Sequence, residues 1–254
     1  MQLIADTHVH FYPDYEPEYF WTAAAANLER GIRQAGLSGP VVRALYLTER
    51  HDCHAFADWR DSGAFEATDQ PWCLQKTQPD DSLLHVVAGR QIATAERLEV
   101  HALCTTATFE DGLPLAESIQ AVQESGAVVV LPWAPGKWLG ERGKKIAAAA
   151  AADRNGIRLA DSSTRPRGWP EPGQLKAHRQ AGGLVLAGSD PYPYAGQETM
   201  PGQFGSLWQN LPAADSPALA CRSALDQPPV QVIGSRKNLV SWALSMWRCS
   251  KSTG

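Results

Sequence analysis

Short apolar runs alternate along this chain with longer amphipathic stretches. Seven runs are nearly continuous in apolar residues: QLIAD at 2–6, VVRALYLT at 41–48, LLHVVAG at 83–89, LEVHALC at 98–104, AVVVLPW at 127–133, IRLAD at 157–161 and GLVLAGSD at 183–190. Apolar residues at successive positions, rather than at every second one, mark strands covered on both faces, as in parallel sheets. Helical spacing fills several of the gaps. EYFWTAAAANLERGIRQAG precedes the second run, PLAESIQAVQESG the fifth, GKKIAAAAAADRNG the sixth and EPGQLKAHRQAGG the seventh. Each stops close to a glycine, the residue that most readily takes the positive φ at a helix C-terminus. Strand, helix, strand in repetition predicts βαβ units, and about seven such strands in one chain predict a closed or nearly closed α/β barrel.

Three segments break the rhythm: 50–80, 189–215 and 226–236, each rich in Pro, Gly, Asp or Gln. None separates two self-sufficient cores, so they read as long surface loops on a single domain spanning 1–254. At 254 residues, with 44% hydrophobic and 20% charged positions, the chain is long enough for one such barrel. Its formal net charge of -4 offers no general field for nucleic acid or an anionic membrane, so an anionic ligand must be handled locally. The five cysteines, Cys53, Cys73, Cys104, Cys221 and Cys249, are odd in number and widely spaced, which points to reduced thiols rather than a disulfide framework. No secretory apolar region follows Met1, and no stretch approaches the ~18 apolar residues of a membrane span. A cytoplasmic protein is the expectation.

The candidate chemistry starts in the first ten residues. Asp6, His8 and His10 alternate behind the first apolar run, and side chains two apart on an extended strand point to one side. Neutral imidazoles are common ligands of zinc and similar ions, and a nearby carboxylate can join them or orient them. In a parallel barrel, chemistry gathers at the carboxyl ends of the strands. Those ends carry Glu49 after the second run, His101 within the fourth, Lys137 in the PWAPGKW loop, Arg165 and Arg167 in DSSTRPR, and Asp190 in AGSDPYP. His101 and Glu49 fit a ligand role or a hydrogen-bonded core role equally well. Arg165, Arg167 and Lys137 fit either the recognition of a phosphate or carboxylate, or an ordinary charged loop.

In order along the chain, ADTHVH, LTERHD, VAGRQIATAERLEVHAL and LAGSDPYP resemble the motifs of the PHP (polymerase and histidinol phosphatase) family. The resemblance spans residues 5 to about 193 and is strongest at its two ends. It implies a distorted (β/α)7 TIM-like barrel and a metal-dependent phosphoesterase with up to three ions. His8, His10 and Asp190 match the family's ligand positions, and Asp6 matches the residue that orients the first strand's ligands. Elsewhere the pattern is broken. Glu49 and Arg50 stand where the family has Asp and His, Gln91 where it has a bridging glutamate, Leu131 and Pro132 where it has His-Pro, and Tyr192 where it has a final histidine. A neutral Gln91 bridges two cations poorly, so one divalent ion, zinc or manganese, is expected rather than three. The ligands would be His8, His10 and Asp190, with Glu49 and His101 as further candidates. Asp190 would also accept the proton of the attacking water, and Arg165, Arg167 and Lys137 would bind a small anionic substrate such as a phosphate ester. The broken positions leave two alternatives, a related barrel that binds a ligand or partner without turnover, and an amidohydrolase-type C–N hydrolase.

Overall fold

The computed structural model describes residues 1–252, so the last two positions of the expected 1–254 unit lie outside the described residues. The strands form two mixed sheets and not the predicted barrel. The first sheet has seven strands in the spatial order β12 (Gln231–Gly234), β11 (Phe204–Trp208), β1 (Gln2–Val9), β2 (Val41–Leu47), β5 (Leu83–Val87), β4 (Cys73–Thr77) and β3 (Glu66–Ala67). The second has five: β10 (Val185–Gly188), β9 (Ile157–Ser162), β8 (Val128–Pro132), β7 (Glu99–Leu103) and β6 (Gly89–Ala93).

The correction has a local cause. Only β1–β2, β2–β5, β8–β9 and β9–β10 pair in parallel; every other pairing is antiparallel. Most of the antiparallel strands come from the segments that read as loops. β3 and β4 lie within 50–80, β11 within 189–215, and β12 within 226–236. The LLHVVAG run also divides, its last glycine opening β6, which folds back on β7 through a tight turn closed by the Thr94 amide on the Leu98 carbonyl at 2.9 Å. A hairpin needs no crossover helix, so the regular βαβ alternation is lost there. Gly89 marks the crossing from one sheet to the other. A Cβ there would stand 2.5 Å from the Leu47 carbonyl oxygen, so only glycine lets the chain pass.

Apolar faces arrange these sheets in layers. Leu3, Ala5, Ala44, Tyr46 and Val87 of the first sheet meet Leu103, Val128, Val130, Ala160 and Leu186 of the second. α6 (Pro217–Ala224) closes the end of this interior near the strand starts, where the Tyr46 hydroxyl donates to the Cys221 carbonyl at 2.7 Å. The outer face of the first sheet packs on α1 (Pro17–Gln34) and α2 (Ala55–Asp61). The outer face of the second packs on α3 (Leu115–Glu124), α4 (Gly140–Ala152) and α5 (Gly173–Gln180). α1, α3, α4 and α5 occupy the four amphipathic stretches read from the sequence, whereas α2 lies within the 50–80 segment read as a loop and α6 lies outside all four. No helix among the described residues is long and apolar enough to cross a membrane.

At the other end of the interior the sheets touch through single hydrogen bonds. The Asp190 amide donates to the His8 carbonyl at 2.9 Å, and Thr7 Oγ1 donates to the Ala187 carbonyl at 3.0 Å. Across the opposite seam the Glu49 amide reaches the Gly89 carbonyl at 3.1 Å. These contacts align the carboxyl ends of β1 and β10, and the candidate site lies there.

Candidate metal centre

A break in the pairing of β1 with β2, between Asp6 and Val9, sets the direction of the histidines. Ahead of it, Leu3 and Ala5 lie in the interior between the sheets and Ile4 on the outer face; beyond it, Val9 lies on that outer face. The inward positions therefore switch from odd to even, which is how a bulge re-aims side chains. His8 and His10 face the end of the interior together, as their spacing predicts. Asp6 stands on the far side of the bulge and does not join them.

Asp6 works as an anchor. Fully buried, it accepts the amides of His8 (3.2 Å) and Ser189 (2.8 Å) on Oδ1 and that of Gly202 (2.8 Å) on Oδ2. Burial pushes its carboxyl up to about 7 despite those three donors. The orienting role implied by the family resemblance corresponds to this tie between β1, the turn after β10 and the chain ahead of β11.

The Nε2 atoms of His8 and His10 are 3.0 Å apart, and Asp190 Oδ1 lies 3.5 Å from the first and 3.7 Å from the second. One ligand atom from each of the three residues lies within 4.8 Å of the others, the spacing that a single ion requires. Burial lowers the His8 pKa to about 4 and, with the neighbouring His8, the His10 pKa to about 3. Both imidazoles are therefore neutral near pH 7, the state in which histidine binds a metal. Thr48 stands behind His10 Nδ1 and favours a proton on that nitrogen. Its hydroxyl donates to the Val9 carbonyl at 3.2 Å and stands 3.4 Å from His10 Nδ1, so it is left to accept a proton from that nitrogen and Nε2 keeps its lone pair.

Asp190 has a φ of 53°, uncommon for a residue other than glycine, and its own amide is tied to His8. Its second oxygen, Oδ2, accepts from Ser162 Oγ at 3.0 Å and Thr164 Oγ1 at 3.2 Å. These hydroxyls belong to DSSTRPR, and here they hold the carboxylate rather than face a substrate. Gly188, two residues earlier, is required by the close approach of the sheets: a Cβ on it would fall 2.4 Å from the His8 Cβ.

Residues that fit a metal ion should include polar atoms left without protein partners, and three such atoms lie here. His8 Nδ1 and both ring nitrogens of His101 are buried without a hydrogen bond. The His101 ring stands 4.3 Å from that of His8, centroid to centroid, and burial holds it neutral. An unpartnered buried imidazole is costly, and a cation beside it removes that cost.

The remaining candidates sit as follows. Glu49 is absent from the ligand group; its Oε1 accepts the Phe56 amide at 2.8 Å at the start of α2, and its Oε2 lies 3.4 Å from Arg90. Lys137 borders the cleft above the histidines but is paired with Glu99. Arg165 is turned inward, binding Asp161 through Nε at 2.9 Å and through its terminal nitrogen at 2.6 Å. Arg167 lines a different cleft. Sequence reasoning missed Thr48, Tyr12 and Glu99. Glu99 was open to detection, since it lies two positions before His101 on one strand and so shares its side.

The cleft itself has a volume of about 520 Å³ and is lined by His10, Asp190, Tyr12, Gln91, Lys137 and Tyr192 among others, with Met246 and Cys249 of α7 (Leu239–Ser252) at its lip. Tyr192, where the family resemblance places a histidine, donates to the Met246 sulfur at 3.4 Å.

No protein-family model and no curated protein matches this chain. Among solved structures, PsfC from Pseudomonas syringae PB-5123 is similar in fold, with 14% identity, a TM-score of 0.53 and coverage of 99% of this chain and 97% of that one. A two-domain protein from Bacteroides vulgatus ATCC 8482, containing a predicted PHP-like metal-dependent phosphoesterase, is 15% identical with a TM-score of 0.48. That match covers 92% of this chain and 65% of the other.

Proposed function

We propose that this protein is a metal-dependent hydrolase of a small anionic substrate, with a phosphate ester as the leading candidate. The observation that carries the reading is the convergence of two neutral imidazoles and one carboxylate at the floor of a cleft, beside a third imidazole with no protein partner. The order of ADTHVH and AGSDP along the chain adds to it. His8, His10 and Asp190 hold one divalent ion, zinc or manganese, while His101, outside this converging group, stands beside His8 with no protein partner for its ring nitrogens. Glu49 has no part in it.

A bound divalent ion supplies Lewis acidity toward the scissile group and makes water a better nucleophile near neutral pH. The chain's own residues do the rest. Asp190 presents Oδ1 to the cleft while Ser162 and Thr164 fix Oδ2, so it is placed to take a proton from water at Oδ1. Thr48 keeps His10 in the ligating tautomer. Lys137 and Arg50 lie on the cleft wall, paired with Glu99 and Asp52, and are the cationic groups an anionic substrate would meet there, while Tyr12 beside His10 covers one side of it.

The test joins metal content to turnover. Purified protein should carry about one equivalent of zinc or manganese by elemental analysis, and should release phosphate from a panel of phosphomonoesters. Chelation and His8→Ala should each abolish both metal and turnover. A protein that binds no metal, or hydrolyses equally well without it, refutes the reading; one that binds metal but hydrolyses amides alone is a C–N hydrolase instead.

A further inference from the structure

A second cleft, of about 480 Å³, opens between the segment 194–203 and the first turns of α7. Four cationic side chains line it, Arg167, Arg236, Lys237 and Arg248, and among the described residues no carboxylate does. In a chain of net charge -4 such a collection is unbalanced. Arg236 reaches Asp161, but that carboxylate also binds Arg165 through two nitrogens, so one negative charge serves two guanidiniums. The Nε of Arg236 is buried without a partner. Among the described residues the Lys237 ammonium donates to neutral oxygens, Gln197 Oε1 at 2.9 Å and Ser245 Oγ at 3.3 Å. Burial lowers its ammonium to about 8 against the pull of Asp190. Arg167 and Arg248 are exposed, and neither side chain has a hydrogen bond or ion pair among the described residues.

This cleft is distinct from the one above the histidines. The two share no lining residue. Tyr192 borders the first and Tyr194 the second, their rings stacked with centroids 6.0 Å apart, and the ammonium of Lys237, which lines the second, lies 4.7 Å from the Tyr192 ring. Four cationic groups, only one of them ion-paired among the described residues, match a compact, multiply charged oxyanion better than a single carboxylate. We propose that this cleft binds a phosphoryl group, separately from the candidate metal centre. The inference needs neither a metal nor hydrolysis.

The test is a calorimetric titration of the full chain with inorganic phosphate at pH 7, at ionic strength held constant with sodium chloride. Phenyl phosphate, titrated in parallel, separates the free ion from a phosphomonoester. One saturable site is expected. Arg167→Ala and Arg248→Ala should each weaken it by about fivefold or more, since each removes charge-assisted contacts partly open to solvent. His8→Ala, or His10→Ala should the first variant not fold, should leave it unchanged. The absence of a saturable site overturns the proposal, as does wild-type affinity in both arginine variants. Loss of the site in His8→Ala overturns it too, by placing the phosphate at the histidines.

Discussion

The amide of Asp190 donates to the carbonyl of His8 across the seam between two sheets, at 2.9 Å. With the Thr7 and Ser189 hydrogen bonds across the same seam, this contact joins the sheets and holds two candidate ligands side by side. The site is not added to a finished scaffold; its geometry is the geometry of the seam.

Gly188 lies at the same seam, and Gly188→Ala should show how closely the two are linked. The added Cβ would fall 2.4 Å from the His8 Cβ and 2.5 Å from its backbone nitrogen, so backbone must move. A loss of about 1–3 kcal/mol is expected, the usual cost of overpacking, together with reduced metal content. Thermal unfolding and elemental analysis of the variant check both; unchanged metal content with lower stability would separate the seam from the site.

Thr48→Val should act on the site without disturbing the core. Valine keeps the shape of threonine but removes the oxygen beside His10 Nδ1, freeing the imidazole to change tautomer. Metal affinity should fall by about 10–100-fold, the range for residues that support a ligand from behind. Thr48→Ser should restore it. Titration against a chromophoric chelator measures the affinity directly, and equal affinity in the valine variant would show that Thr48 does not set the tautomer.

Arg165→Ala should change stability and not substrate binding. Its guanidinium is committed to buried Asp161, and removing it leaves that carboxylate with Arg236 alone. A loss of about 2 kcal/mol is expected, within the range for hydrogen bonds to charged groups. KM for any phosphate ester found by the substrate panel should stay the same. A raised KM at unchanged stability would return Arg165 to the substrate.

The sequence was most legible where periodicity decides and least where strand partners decide. The apolar runs mark β1, β2, β5, β7, β8, β9 and β10, the amphipathic stretches mark α1, α3, α4 and α5 but not α2, α6 or α7, and His8, His10 and Asp190 meet as the motif order implies. The barrel failed because pairing direction is not written in an apolar run: LEVHALC has the buried character of a parallel strand yet pairs antiparallel with both neighbours. The short strands in 66–77, 204–208 and 231–234 were hidden in segments rich in turn-forming residues. Asp6 was misdirected by a break in pairing that shifts side-chain parity between two residues, and nothing in ADTHVH announces it. Arg165 fits a substrate role in the sequence because nothing in DSSTRPR shows that the loop turns it back onto Asp161.

Glu49 offers a last test, because the ligand role expected for it and the structural role observed predict different behaviour with pH. Its carboxyl is buried, and burial pushes its pKa up to about 6 from the ordinary 4.5, outweighing the Phe56 amide and Arg90, which both favour the charged form. A folded-state pKa above the unfolded one means that the fold resists ionisation. The cost is absent below about pH 4.5, grows through about pH 6, and levels off near 2 kcal/mol at neutral pH. Glu49→Gln keeps an oxygen for the Phe56 amide and removes the charge, while Arg90 retains the Cys53 carbonyl at 2.7 Å. Wild-type thermal stability should therefore fall relative to the Gln variant as pH rises from about 4.5 to 6.5, and the difference should stay constant above that window. If the Gln variant instead loses ground as pH rises, Arg90 outweighs burial and Glu49 is held charged. In neither case should metal content change, because Glu49 faces the start of α2 and Arg90 rather than the ligand group; a variant that loses its metal would restore Glu49 as a ligand.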